Sequence, residues 1–548
     1  MELPSYACGA AVTPLLGETV GASLDRAAAA HAGREAVVSR HQNVRATYAG
    51  LRGDAAAFAR GLLALGVRHG DRVGIWAPNS YEWVVAQFAA AKAGAILVNV
   101  NPAYRTWEAA YALRQSGVSV LIAQTRFKSS DYAAMLREIR GELPDLRTIV
   151  LLGDDELDAP LADAMRWSDV VHAARNVAEE ALAEREAAVQ FDEPVNIQYT
   201  SGTTGSPKGA TLSHHNVLNN GFFVGEGCRF TEEDRVCVPV PFYHCFGMVM
   251  GTLAVVTHGA TLVVPGAAFD AAATMEAVAA ERCTALYGVP TMFIAELALP
   301  DFAAYDCSSL RTGIMAGSPC PVEIMKRVQS EMHLTEMTIC YGMTETSPVS
   351  TQTSPDDPLD KRTATVGRVH QHVEIKIVDE RGRIVPRGTP GELCTRGYGV
   401  MLGYWNDPES TARAIDRARY MHTGDVATMD AEGYVAIGGR SKDMVIRGGE
   451  NVYPREIEEF LYRHPAVKDV AVIGVPDAKY GEELCAWIVL HEGHPEDAEA
   501  ILNFCRGSIA HYKVPRYVRF AAEFPMTVTG KVQKYRMREI SIAELEGT

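Results

Sequence analysis

The chain is short of positive charge. Of its 548 residues, 52 are Lys or Arg and 68 are Asp or Glu, a formal net charge of −16. Non-specific attachment to nucleic acid or to an anionic membrane surface is therefore not expected. Any polyanion that binds must meet positive charge gathered locally. The eleven cysteines form no C-x-x-C pair and no regular Cys/His spacing. That argues against a zinc ribbon or a disulfide framework, and for thiols used as small hydrophobes in a reducing, cytoplasmic setting. No apolar run is clean enough to read as an integral membrane segment. The nearest, residues 236–256, carries Pro239, Pro241, His244 and Gly247 and reads as buried strand and loop. The amino terminus has Glu2 and no basic lead-in, so no secretory signal is expected. There is no internal repeat.

What is present is a globular composition, 47% apolar and 22% charged, in a chain too long for one core. Strand-like runs at 71–77, 95–100 and 118–123 alternate with helical spacing, as at 81–93. This alternation predicts an α/β fold with parallel sheets covered by helices. The acidic, Ala-rich stretch 154–188 reads as outer helices. From about residue 365 to 440, short strands at 373–378, 391–395 and 434–437 stand between glycine turns and predict a β-rich subdomain. A polar step at Ser441-Lys442-Asp443 then precedes a compact α+β stretch, with Pro454 near a helix start and strands at 467–475 and 484–490. The expected organisation is a large domain over 1–440 and a small one over 441–548.

Residues 200–209 read TSGTTGSPKG and follow the β-prone run 195–199. Five hydroxyls, three glycines and Lys208 in ten residues supply what a phosphate cradle needs: approachable backbone N–H groups, hydroxyl donors and one full positive charge. It is not a Walker loop, because Pro207 stands where the second glycine belongs. The loop resembles the phosphate-binding signature of the acyl-adenylate-forming superfamily, and the run GRSKDMVIRGGENVYP at 439–454 is most similar to that of its medium-chain acyl-CoA synthetase branch. That resemblance extends over essentially the whole chain. It assigns Thr200, Ser201, Gly202, Thr203, Thr204, Gly205 and Lys208 to the triphosphate.

The other signatures follow in the family's order. Tyr341-Gly342-Met343-Thr344-Glu345 resembles its second strong motif, which implies adenine stacking by Tyr341, α-phosphate contact by Thr344 and a magnesium ligand in Glu345. Ala316-Gly317-Ser318-Pro319 resembles the segment bordering adenine. Thr423-Gly424-Asp425 resembles the ribose signature, and Arg440 opens the hinge motif and is expected on ribose or phosphate. Lys531 closes a terminal P-x-T-x-[ST]-G-K motif and would aim its charge at the carboxylate and α-phosphate. Lys442 stands at the hinge about which the family's mobile lid turns between half-reactions. Gly448 and Gly449 resemble the loop brought to the pantetheine tunnel. His244, within Pro241–Gly247, is expected to flank the carboxyl group or gate the thiol path. Gly288-Val289-Pro290 and Ser347-Pro348-Val349 are weaker pocket-wall candidates. Gly342 is read as opening the acyl pocket, where acetate-specific relatives carry tryptophan.

The implied activity joins a carboxylic acid of medium to long chain to coenzyme A, with ATP and Mg2+, through an acyl-adenylate. An aryl-CoA ligase of 4-coumarate type and an acyl-AMP ligase loading a carrier protein are the alternatives. The oligomeric state is left open, a homodimer among the options.

Overall fold

A computed structural model describes residues 3–153, 159–200, 207–318, 320–440, 443–447, 450–477, 480–506, 508–509, 511–527 and 530–546. Among the described residues, two large sheets form the body of the molecule, one of eight strands and one of nine. The eight-stranded sheet runs parallel from Ala164–Arg166 through Pro194–Thr200 and then continues antiparallel into Lys208–Ser213. The nine-stranded sheet has a parallel centre containing Arg235–Cys237, Ala285–Gly288, Thr312–Ala316 and Glu336–Gly342. Several central strands are buried on both faces, as a helix-covered parallel sheet requires. Ile96–Asn99 and Ala285–Gly288 are buried at every residue.

A five-stranded antiparallel sheet forms the β half-barrel subdomain, built from Val373–Val378, Gly391–Gly397, Met421–Met429 and Val435–Arg440. Its fifth strand is Tyr6–Cys8, which pairs with Glu374–Lys376 from the far end of the sequence. The small carboxyl-terminal α+β domain holds its own five-stranded sheet and the helices Pro454–Leu461, Ala498–Cys505 and Lys534–Glu546. Pro454 occupies the first helical turn, where its missing N–H costs nothing. No described helix is long and apolar enough to cross a membrane.

Two local expectations need correction. The run 236–256 is strand and loop only to Cys245, and a buried π-helical segment, Phe246–Leu253, then leads into the helix Ala254–Thr257. A helix apolar all round has no amphipathic period to betray it. The stretch read as outer helices does contain Trp167–Ala173 and Glu179–Ala188, but Ala164–Arg166 is a strand at the sheet edge. Three residues are too few to display a strand period.

Candidate active site

Four parallel strands deliver their carboxyl ends to one place. Cys237 leads into the Pro241–His244 loop, Gly288 into Val289-Pro290, Ala316 into Gly317, and Tyr341-Gly342 into Thr344-Glu345. Ligands in α/β folds bind outside such ends, where the chain is free of ladder hydrogen bonds. Thr200 ends its own parallel strand in the neighbouring sheet and joins the group.

The segment Tyr341–Glu345 is the hub. At one end, the Tyr341 hydroxyl donates to Asp425 Oδ2 at 2.6 Å, linking the nine-stranded sheet to the half-barrel. Asp425 lies opposite Arg440 in the strand pairing, which brings the two motifs into register through the backbone. At the other end, buried Glu345 receives two hydroxyls on Oε1, from Thr200 at 3.3 Å and from Tyr404 at 2.8 Å. Lys208 Nζ lies 5.3 Å from the centre of the Tyr404 ring. Tyr404 is thus the common neighbour of the carboxylate and the loop lysine, and burial and the adjacent Glu345 charge raise its phenol well above the ordinary value.

Between these ends lies a second cluster. The Cys245 thiol sits 3.8 Å from Thr344 Oγ1 and is pushed up to about 11, mainly by burial. His244 Nδ1 accepts from the Phe246 N–H at 3.2 Å, so its Nε2 carries the proton. Burial, aided by the charge of Lys531, lowers the His244 pKa to about 3. A group whose neutral form is favoured to that degree is an uncharged donor at every ordinary pH. Lys531 comes from the carboxyl-terminal domain and is docked here. A methyl group on Gly317 would stand 3.6 Å from Lys531 Cε, and Thr291 Oγ1 donates to Gly530 O at 3.1 Å. Thr527 shapes the turn: its hydroxyl accepts from the Lys531 N–H at 2.9 Å.

The structure therefore brings together Thr200, Lys208, His244, Gly317, Tyr341, Thr344, Glu345, Asp425 and Lys531. Ser318 follows Gly317 on the same strand-end turn. Arg440 is located by its backbone. Ser201, Gly202, Thr203, Thr204, Gly205, Pro319, Lys442, Gly448 and Gly449 lie outside the described residues.

Gly342 has a different reason to be glycine from the one its motif suggested. A methyl group there would fall 1.7 Å from the carbonyl oxygen of Pro348, which also accepts from Met343 N–H and Thr346 Oγ1. The pairing with the next strand slips at this point, drawing the two backbones together. Gly342→Ala should cost about 3 kcal/mol or more, the upper range of overpacking, because backbone and not a side-chain tip must yield. The expected result is a lower melting temperature and reduced activity on every acid alike. A stable variant with an altered chain-length profile would restore the pocket explanation.

An anchored carboxylate, a loop lysine, a docked lysine of the carboxyl-terminal domain and a neutral imidazole around one strand-end cleft suit a nucleotide-dependent carboxylate-activating enzyme. The AMP-binding enzyme family matches residues 24–405, and the AMP-binding enzyme C-terminal domain matches residues 456–531. The chain is 47% identical over 542 residues to YngI of Bacillus subtilis (strain 168), covering 96% of this chain and 98% of that one. It is 42% identical over 554 residues to the human mitochondrial medium-chain acyl-CoA ligase ACSF2, covering 98% and 89%. Among solved structures, the anthranilate CoA ligase AuaEII in complex with anthranoyl-AMP is similar at TM-score 0.86 and 29% identity, covering 98% and 99%. The chain belongs to the AMP-binding enzyme family. It is an ATP-dependent acyl-CoA ligase, an acid–thiol ligase that uses CoA as co-substrate.

Proposed function

We propose that the acid is a medium-chain fatty acid, and that the residues gathered at the strand ends carry both half-reactions. The carrying observation is the docking of Lys531 beside Gly317, His244 and Cys245, next to the Thr344–Glu345 turn. In the first half-reaction the carboxylate oxygen attacks the α-phosphorus of ATP. The bond to the bridging oxygen breaks, and pyrophosphate leaves with its electrons. Lys531 lends positive charge where carboxylate and phosphate crowd together, Thr344 contacts the α-phosphate, and His244 donates from Nε2 without adding charge. Thr200 and Lys208, with Ser201, Gly202, Thr203, Thr204 and Gly205, hold the outer phosphates. Tyr341, Gly317 and Ser318 border adenine, while Asp425 and Arg440 take the ribose.

Glu345 fits a magnesium ligand. Two neutral hydroxyls aim its carboxylate without cancelling its charge, and an oxygen donor of this kind suits a hard cation. Bound there, the metal would offset the repulsion between two anions. In the second half-reaction the CoA thiol gives its proton to solvent, its sulfur attacks the acyl carbonyl, the bond from that carbon to the phosphate oxygen breaks, and AMP departs with the electron pair. Lys442 acts as hinge, and Gly448 and Gly449 approach pantetheine. On this reading the chain divides at residues 440–443 into a body and a turning lid.

Medium chain length is supported by the 42–44% identity to bovine and human ACSF2 over nearly the whole chain. An aryl acid is the second reading, favoured by the fold similarity to AuaEII. A reducing compartment suits the eleven free cysteines, ten of them buried. The test is a panel of acids from acetate to stearate with benzoate and coumarate, scored separately for pyrophosphate release and CoA thioester. The expected optimum is octanoate to dodecanoate, falling gradually, since one methylene discriminates by only about 1–3 kcal/mol. A benzoate or coumarate optimum would favour the aryl reading. Pyrophosphate release without thioester would point to a carrier-protein acceptor.

A further inference from the structure

The Thr423-Gly424-Asp425 corner is held from behind. Strand Gly391–Gly397 pairs with Met421–Met429, setting Cys394 opposite His422 and Glu392 opposite Val426. Glu392 Oε2 lies 2.9 Å from His422 Nδ1, and its other oxygen accepts the Gly424 N–H at 3.0 Å. Cys394 Sγ lies 3.5 Å from the same ring nitrogen, and Asp416 Oδ2 lies 3.7 Å from Nε2. Thr423 Oγ1 donates to Leu393 O at 2.7 Å and accepts the Asp425 N–H at 3.1 Å. Gly424 sits at φ +71°, a conformation that needs outside contacts to select it.

One ligand atom each from Glu392, Cys394 and His422 lie within 4.8 Å of one another, a donor set that a borderline-soft cation could use. A proton fills the same place more simply. A carboxylate faces each ring nitrogen, and an imidazolium offers a donor to both. His422 Nδ1, 2.9 Å from Glu392 Oε2, holds that carboxylate in place, and Glu392 in turn anchors the backbone one residue before Asp425.

We propose that Glu392 and His422 are positioning residues that set the aim of Asp425 toward the nucleotide ribose. The inference rests on the reading of Asp425 as ribose ligand. The experiment compares ATP with 3′-deoxy-ATP as substrates of the full-length enzyme carrying Glu392→Gln, His422→Gln or Asp425→Ala. Each of the first two should raise the KM for ATP about tenfold, the scale of one charge-assisted hydrogen bond, with little change in kcat. Each should also shrink the preference for ATP over the deoxy analogue, and Asp425→Ala should abolish it. If Asp425→Ala keeps the full preference, the ribose reading fails and takes the brace with it. If Asp425→Ala loses the preference while Glu392→Gln and His422→Gln retain both it and the wild-type KM, only the brace is overturned. Equal losses on both nucleotides would make the pair general scaffolding, contrary to the proposal. Stoichiometric zinc in the purified protein, absent from His422→Gln, would replace the proton by a metal and also overturn it.

Discussion

Lys531→Ala is expected to slow acyl-adenylate formation about 100- to 1,000-fold, the cost of losing one preorganised charge-stabilising donor. Transfer from supplied acyl-AMP to CoA should keep most of its rate. The asymmetry follows from where charge accumulates. Adenylation drives a carboxylate onto a polyphosphate, and the Lys531 ammonium is the cation docked beside Gly317, His244 and Cys245. Thioester formation begins from a mixed anhydride that is already made and creates no such crowding. Neutral His244 cannot substitute, because burial, the main cause of its lowered pKa, persists when the lysine is gone. Pyrophosphate exchange reads the first half-reaction, and thioester formation from synthetic acyl-AMP reads the second. Equal losses in both would remove the basis for giving Lys531 a role confined to one half.

Glu345→Gln should be nearly as damaging, lowering adenylation at saturating ATP by about 100-fold or more. The amide keeps the shape and can still accept from Thr200 and Tyr404, so folding should be preserved. What it loses is the charge those hydroxyls leave uncancelled. The variant should therefore bind magnesium–ATP more weakly by calorimetry, with raised magnesium partly restoring the rate. Wild-type affinity and an unchanged magnesium requirement would show that the carboxylate only braces the turn.

Much of this was legible in the sequence because the chemistry sits in contiguous segments. TSGTTGSPKG and YGMTE each concentrate hydroxyls, glycines and charge in a few residues, and strands such as Val373–Val378 were marked out by the glycine turns around them. What could not be read were partners made by folding. Tyr404 meets Glu345 from 59 residues away, and Tyr341 meets Asp425 from 84. Tyr6–Cys8 pairs with a strand more than 360 residues downstream. Local periodicity carries no record of such pairings. Gly342 shows a subtler limit: the motif locates the glycine, but only the neighbouring Pro348 carbonyl explains why a side chain is excluded.

Among the described residues, three hydrogen bonds join the small carboxyl-terminal domain to the body. Gly530 O accepts from Thr291 at 3.1 Å, Glu459 Oε2 accepts from the Val322 N–H at 3.2 Å, and Arg455 donates to Ile437 O at 3.1 Å. Three hydrogen bonds of the ordinary net strength, about 0.5–1.5 kcal/mol each, amount to a latch and not a weld. Bonds of that strength break and reform on thermal energy, which is what the proposed reading of a turning domain requires. On the proposed reading the reactive anhydride must survive each swing, so hydrolysis competes with reseating, and slower reseating returns more acid and AMP without thioester.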